Sequence, residues 1–334
     1  MDAARDPVLP PRPGRPGADP RRAARFPPPL ARPRRRGRGP SGGSSGGRPA
    51  GGLVTTDSRA ATADEAATSD AALFARDGSR VVPTDYARGP WRRDALHGGA
   101  VAALLAQAVD VPDWTPTRLT IDLLGPVPDA PLTLSVTAPE GGKRVVRQEI
   151  TLLADGAPAA RALCVAVRRS DLDLPDGATD HPDPFAGVPV PDLSTPTPGA
   201  REAVGWDCFD SGAIRVHGLA SSGVAEGSVG LWVNLLVPVI AGEPTPAIAR
   251  VAAAADYAST ATNMRLPQDR WSFMNAELTV HLSREPATSW VGLVAAGVVQ
   301  PAGSGLSVAT IYDAAGRLGQ SAQALVVEAR RPRT

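Results

Sequence analysis

Several residue types are scarce in this chain, and each shortage excludes a class of protein. Two cysteines in 334 residues, Cys164 and Cys208, can build neither a disulfide framework nor a four-cysteine zinc site, and leave only a single bridge open. A reducing cytoplasm is the expected location. Lys143 is the only lysine, so the phosphate loop G-x-x-x-x-G-K-[ST] is missing, and GSGLS at 303–307 has glycine where the nucleophile elbow G-x-S-x-G needs serine. No apolar run approaches the roughly 18–20 residues of a bilayer span, and no signal-peptide core follows the first arginines. No membrane contact is expected. His281 has no second histidine or cysteine at ligand spacing, and neither a metal nor another cofactor is expected.

What is present is unevenly spread. Glycine (34) and proline (35) make up a fifth of the chain and gather in two stretches. Residues 1–65 begin with Pro, Arg, Gly and Ser text that runs to about Gly52, too poor in apolar groups to offset the entropy of ordering it. This stretch reads as a disordered tail. Its first 50 residues carry twelve arginines against three aspartates, or +9, so a chain of net charge +1 has −8 in the remainder. An acidic folded part argues against nucleic acid as a general partner. The basic arm keeps open a second reading, binding of RNA or acidic partners. A solvated tail, or translated sequence upstream of the true start in a GC-rich gene, is the plainer account. The second stretch, 173–200, holds seven prolines and reads as a stiff linker.

The segments between and after these stretches, 66–172 and 201–334, resemble each other. Leu119–Leu123 reads LTIDL and Leu278–Leu282 reads LTVHL, 159 residues apart. Ala162–Arg169 reads ALCVAVRR and Ala324–Arg331 reads ALVVEARR, 162 apart. Two matches in the same order imply a duplicated unit. In the first unit an Ala/Leu-rich helix over 100–111, opened by Gly98 and Gly99, precedes strand-like runs at 117–124, 131–137, 144–154 and 160–168. In the second, a helix from Ala247 to about Thr262, with Pro246 near its first turn, precedes runs at 276–283, 290–299, 305–312 and 321–329. Turns at 154–156 and 313–316 join the last two runs of each unit. The expected class is α+β, each unit a helix laid on an antiparallel sheet.

Five stretches carry a family resemblance: LHGGAVAALLAQA (96–108), RLTIDLLGPVP (118–128), AAAADYAS (252–259), NAELTVHLSREP (275–286) and AAGRLGQSAQALVV (314–327). Together they resemble the acyl-CoA thioesterase II family, whose members carry two hotdog units in one chain. The resemblance spans about 72–334. It implies a tandem (double) hotdog, a homo-oligomer acting in lipid metabolism, and hydrolysis of a fatty acyl-CoA-type thioester to free acid and CoA by an activated water. In that family a helix aspartate, a threonine at a strand start and a late-strand glutamine hold the water. Carried over, these are Asp256, Asn275 and Gln323. Asn275 departs from threonine and offers an amide in place of a hydroxyl. Asp256 is preferred to Thr260, one turn on, because only it can act as a base.

The residues have readings of their own. A carboxylate in a run of alanines suits a general base if burial raises its pKa. An amide in the apolar strand at Gln323 needs a partner. His97, Gly98 and Gly99, at a helix start, could contact CoA or a developing oxyanion, although a structural histidine is the plainer account. Taken through the repeat, Gln323 falls on Arg161, Asn275 on Pro116, and Asp256 near Ala106 or Gln107. The chemistry is therefore expected in the second half. A non-catalytic acyl- or CoA-binding protein on the same scaffold is the alternative.

Overall fold

The computed structural model describes residues 71–178, 205–219, 227–263, 266–267 and 269–330. The expected tail, and the expected linker beyond residue 178, lie outside the described residues. Within them the first half contributes β1 (Phe74–Asp77), β2 (Arg80–Pro83), helix α1 (Gly98–Gln107), β3 (Trp114–Leu123), β4 (Leu132–Val136), β5 (Glu140–Gly141), β6 (Val145–Ala154) and β7 (Ala157–Arg168). The second contributes β8 (Ile214–Gly218), β9 (Ser228–Leu235), helix α2 (Ala247–Ala255), β10 (Trp271–Asn275), β11 (Glu277–Leu282), β12 (Trp290–Val299), β13 (Ser304–Asp313) and β14 (Gly316–Ala329). The strands form one large antiparallel sheet in the order β1-β2-β4-β6-β7-β3-β11-β14-β13-β12-β9-β8, with β5 on β6 and β10 on β14.

The two helices start for different reasons. His97 holds extended backbone and its Nδ1 accepts the Gly99 N–H at 3.0 Å, so α1 begins at the glycine pair, two residues before the expected start. It ends at Gln107 instead of residue 111, and the Asp110 N–H is taken by Gln148 Oε1 at 2.8 Å. Pro246, with φ of −66°, precedes α2 as its cap. The continuous helix expected to Thr262 is interrupted: the backbone tightens into a 3₁₀ turn over Asp256–Ser259 before one last turn, Thr260–Asn263.

All eight expected strand runs are present as strands whose ends lie within five residues of the expected ones. The sequence reading missed β1, β2, β5, β8, β9 and β10, which are short or, like β9 (SVGLWVNL), apolar without clean alternation. Every residue of α1 from Gly99 to Ala106 is buried, and the core lies between the helices and the inner sheet face, where Phe74, Leu104, Leu105 and Ile150 are fully enclosed. Truncating such a leucine to alanine costs about 2–5 kcal/mol.

The strand ladders fix the repeat register, and one expectation is corrected. Leu152 pairs with Ala160, then a bulge shifts the partner of Leu153 to Pro158; Ile311 pairs with Gly319, then a bulge shifts the partner of Tyr312 to Arg317. These positions are 159 apart throughout. The spacing also relates β3 to β11, whose ladder pairs Thr120 directly with Thr279, Oγ1 to Oγ1 at 3.3 Å. The 162-residue match is therefore a coincidence of similar strand text: the counterpart of Gln323 is Cys164, not Arg161. Pro116 remains the counterpart of Asn275, and counting from the caps His97 and Pro246 sets Gln107 against Asp256.

Candidate active site

The helices α1 and α2 lie antiparallel, so the start of each meets the end of the other. At one junction the Gln107 amide donates to the Pro244 carbonyl at 3.0 Å. At the other, the start of α1 meets Asp256, and the glycine pair lets the two approach closely. A Cβ on Gly98 would stand 3.0 Å from Asp256 Oδ1, and one on Gly99 would stand 3.1 Å from the Ala253 carbonyl and 3.0 Å from the Phe209 ring.

Asp256 is 6% exposed. It terminates the regular part of α2, where carbonyls lose their intrahelical donors. Gln323, fully buried in β14, supplies donors: its Nε2 reaches the carbonyls of Asp256 at 3.1 Å and Ala255 at 3.3 Å. Gln323 Oε1 is buried with no hydrogen-bond partner among the described residues. Asn275, the last residue of β10, donates from Nδ2 to Asp256 Oδ1 at 2.6 Å. The three expected residues therefore meet at one point. Gln323, however, engages the Asp256 backbone and not its carboxylate.

His97 of the first half, at the start of α1, also comes to this point. Its Nδ1 lies 3.4 Å from Asp256 Oδ2, and its Nε2 3.6 Å from Asp210 Oδ2. Its Nδ1 also accepts the Gly99 N–H at 3.0 Å. The ring stacks on Phe209 and Trp91, with centroids at 4.6 and 5.3 Å. Asp210 lies in a wide helical turn, Phe209–Ala213, and accepts the Tyr257 hydroxyl. Burial pushes the Asp256 carboxyl above the usual carboxylate range, opposed by His97 and the Asn275 amide and assisted by the Asp210 charge. Burial, then Asp210, holds the Tyr257 phenol well above its ordinary value.

The sequence reading missed Asp210, Tyr257, Phe209 and Trp91. The turn FDSGA has no periodicity to announce it; the clue in AAAADYAS was Tyr257, a polar aromatic beside the acid. Asp122 and His281, at equivalent positions of LTIDL and LTVHL, are both exposed on the paired strands β3 and β11. Both cysteines are free and buried, and burial pushes the Cys164 thiol up to about 11. Among the described residues no group of three or more His, Cys, Asp or Glu side chains could hold a metal ion, and no helix is long and apolar enough to cross a membrane. A hollow of about 350 Å³ lies near the opposite helix junction, against Trp114, Pro116, Pro246 and Ile248, and does not reach Asp256.

Comparison with known proteins agrees with this architecture. Residues 87–167 match the acyl-CoA thioesterase N-terminal domain and residues 175–327 the acyl-CoA thioesterase C-terminal domain. No curated protein matches the chain. Among solved structures, a Thermobifida fusca protein provisionally described as a thioesterase II superposes with a TM-score of 0.57 at 18% identity, covering 79% of this chain and 98% of its own. A hot dog fold protein of unknown function from Alicyclobacillus acidocaldarius gives 0.51 at 18% identity, covering 78% and 96%. An acyl-CoA thioesterase II from Mycobacterium marinum gives 0.50 at 14%, covering 71% and 91%. The shared feature is the hotdog fold.

Proposed function

Given that the chain belongs to the acyl-CoA thioesterase family and is a thioester hydrolase, we propose that it cleaves a fatty acyl-CoA-type thioester by attack of a water that Asp256 deprotonates. The chain is then a double hotdog, with units at 66–172 and 201–334 joined by the linker 173–200. The common 159-residue register and the shared bulge support this.

The observation that carries the mechanism is the buried Asp256 carboxylate, raised in pKa and held by the Asn275 amide beside the start of α1. A carboxylate lifted toward neutrality is a better base than an exposed one and still ionises. Gln323 Oε1 offers a buried acceptor to one hydrogen of the attacking water, and its Nε2 fixes the backbone that carries Asp256. Asn275 does through an amide what a threonine hydroxyl would do, holding Oδ1 so that Oδ2 takes the proton. The water oxygen bonds to the thioester carbon and its proton passes to Asp256. The carbonyl electrons move onto oxygen, where the positive end of α1 receives the charge. Collapse of this intermediate breaks the C–S bond, and the CoA thiolate leaves with the proton held by Asp256. His97, between Asp256 and Asp210, packs against the Oδ2 side of the Asp256 carboxylate, turned away from Asn275.

The test is CoA release from acyl-CoAs of several chain lengths by the wild type and by Asp256→Asn. Release by the wild type, lost in the variant, supports the reading. A wild type that binds acyl-CoA without releasing CoA sinks it in favour of a non-catalytic binding protein.

A further inference from the structure

The loop that leads into α1 has a counterpart in the loop that leads into α2, and the pair shows what the fold needs there. Counted back six and four residues from the caps His97 and Pro246, Trp91 corresponds to Ile240 and Arg93 to Gly242. Ile240 is 1% exposed and Gly242 has no side chain to place, whereas Trp91 is 62% exposed and Arg93 stands exposed beside it. A helix is thus entered in the second half without a tryptophan or a cation at the surface, and the fold accounts for neither in the first. Both are held in position. The Trp91 indole lies nearly parallel to the ring of His97, with 19° between the planes, so it is seated on the residue that lies against Asp256 while most of its surface meets solvent. The loop is closed beneath it by the Gly89 N–H, which donates to the Ala95 carbonyl at 3.0 Å. Its cations are not equivalent. Arg88 is bonded to Asp85 and Asp129, and Arg92 to Asp94. Arg93 has no acid partner among the described residues; its guanidinium sits 4.9 Å from the centre of the Trp206 ring, and the Trp206 indole N–H donates to the Gly89 carbonyl at 3.4 Å.

Resting on the proposed hydrolysis of a CoA thioester at Asp256, we infer that Trp91 and Arg93 hold the pantetheine arm of CoA, Trp91 lying along the arm and Arg93 taking the phosphate that adjoins it. With the thioester carbon at Asp256, the two ends of the substrate leave the site in different directions. An acyl chain gains by burial. The pantetheine arm carries two amides and runs into a diphosphate, and both favour the wet side of the site. Trp91 offers that side a flat aromatic face next to His97, on which an amide plane packs without losing water from its edges. Arg93, two residues on, is a guanidinium whose donors no described carboxylate occupies, and a phosphate oxygen accepts from it in a charge-assisted hydrogen bond. The positive end of α1 lies on the same side and adds to the attraction. The loop into α2, with Ile240 and Gly242 at the matching points, offers neither contact.

The experiment sets two thioesters of one acyl group against each other in the full chain: acyl-CoA, and acyl-pantetheine, which has the arm without the phosphates. The quantity read is the preference, kcat/KM for acyl-CoA over kcat/KM for acyl-pantetheine. The expected result is a wild-type preference that falls by about 10-fold in Arg93→Ala, through KM and not kcat, and is largely kept in Arg93→Lys. Should alanine unsettle the loop, Arg93→Gln, which leaves a long side chain over Trp206 without its charge, is expected to show the same fall. Trp91→Ala is expected to raise KM for both thioesters, because both carry the arm. A side chain that only props the loop would depress the two substrates alike, so an Arg93→Ala preference within twofold of the wild type overturns the inference. A Trp91→Ala variant with unchanged KM for acyl-pantetheine overturns it as well. Binding of CoA itself, measured by calorimetry, separates this result from the fate of the proposed function: a wild type that hydrolyses neither thioester but binds CoA about 10-fold more tightly than Arg93→Ala supports the contact, and equal binding by the two overturns it.

Discussion

Gly98 abuts the carboxylate of Asp256 so closely that a methyl group in place of its hydrogen would stand 3.0 Å from Oδ1. The acid comes from the second half and the glycine from the first, so the site exists only where the two helices cross.

Gly98→Ala tests this approach. Alanine is the better helix former by about 1 kcal/mol, so the variant should melt no lower than the wild type. Its Cβ should displace the carboxylate, and displacements approaching 1 Å cost up to roughly 100-fold in rate. The expected outcome is a fall of about 10- to 100-fold in kcat/KM with no loss of thermal stability, read by CoA release and a melting curve.

Asp210→Asn tests the role of the second carboxylate. The charged Asp210 disfavours ionisation of Asp256, so its removal lowers the Asp256 pKa. The acid limb of kcat/KM should move to lower pH, while the Tyr257 hydroxyl keeps an oxygen to donate to. A residue that only supports the fold would change stability and leave the limb in place.

Asp256→Asn should stabilise the fold at neutral pH. Because burial raises the native pKa of this acid, the native state binds its proton more tightly than the unfolded chain does. Wild-type stability therefore falls as pH rises from the usual carboxylate value through the raised one. The neutral asparagine carries no such penalty and still accepts from Asn275. The variant's gain in Tm should be largest above the raised pKa and vanish below the usual carboxylate range.

Much of the fold was legible because periodicity reports burial. Strands β6 and β7 alternate, α1 is apolar and rich in alanine, and the turns before Gly156 and Gly316 punctuate the last hairpin of each half. What escaped were short strands such as β1 and β8, whose pairing depends on partners far along the chain. The repeat register at β14 escaped for another reason: ALVVEARR resembles ALCVAVRR as apolar strand text, and only the ladder shows that the match is out of step by three residues.

At the site, Asp256, Asn275 and Gln323 could be named because the family resemblance points to these three positions, and the alanine run around Asp256 and the apolar strand around Gln323 are contexts in which a polar group requires a partner. The contacts of His97 with Asp256 and Asp210 could not be read from spacing, since they arise from helix crossing in three dimensions. The glycine pair was visible, but its reason, room for a carboxylate from the other half, was not.

The most direct test of Asp256 as the base is the single-turnover rate of CoA release from a hydrolysed acyl-CoA, wild type against Asp256→Asn, with both proteins shown to be folded. Loss of a positioned general base lowers the rate by about 100- to 10,000-fold, and a decrease in that range is the expected result. A folded variant that releases CoA within about threefold of the wild type would contradict the account, because the water would then be activated elsewhere.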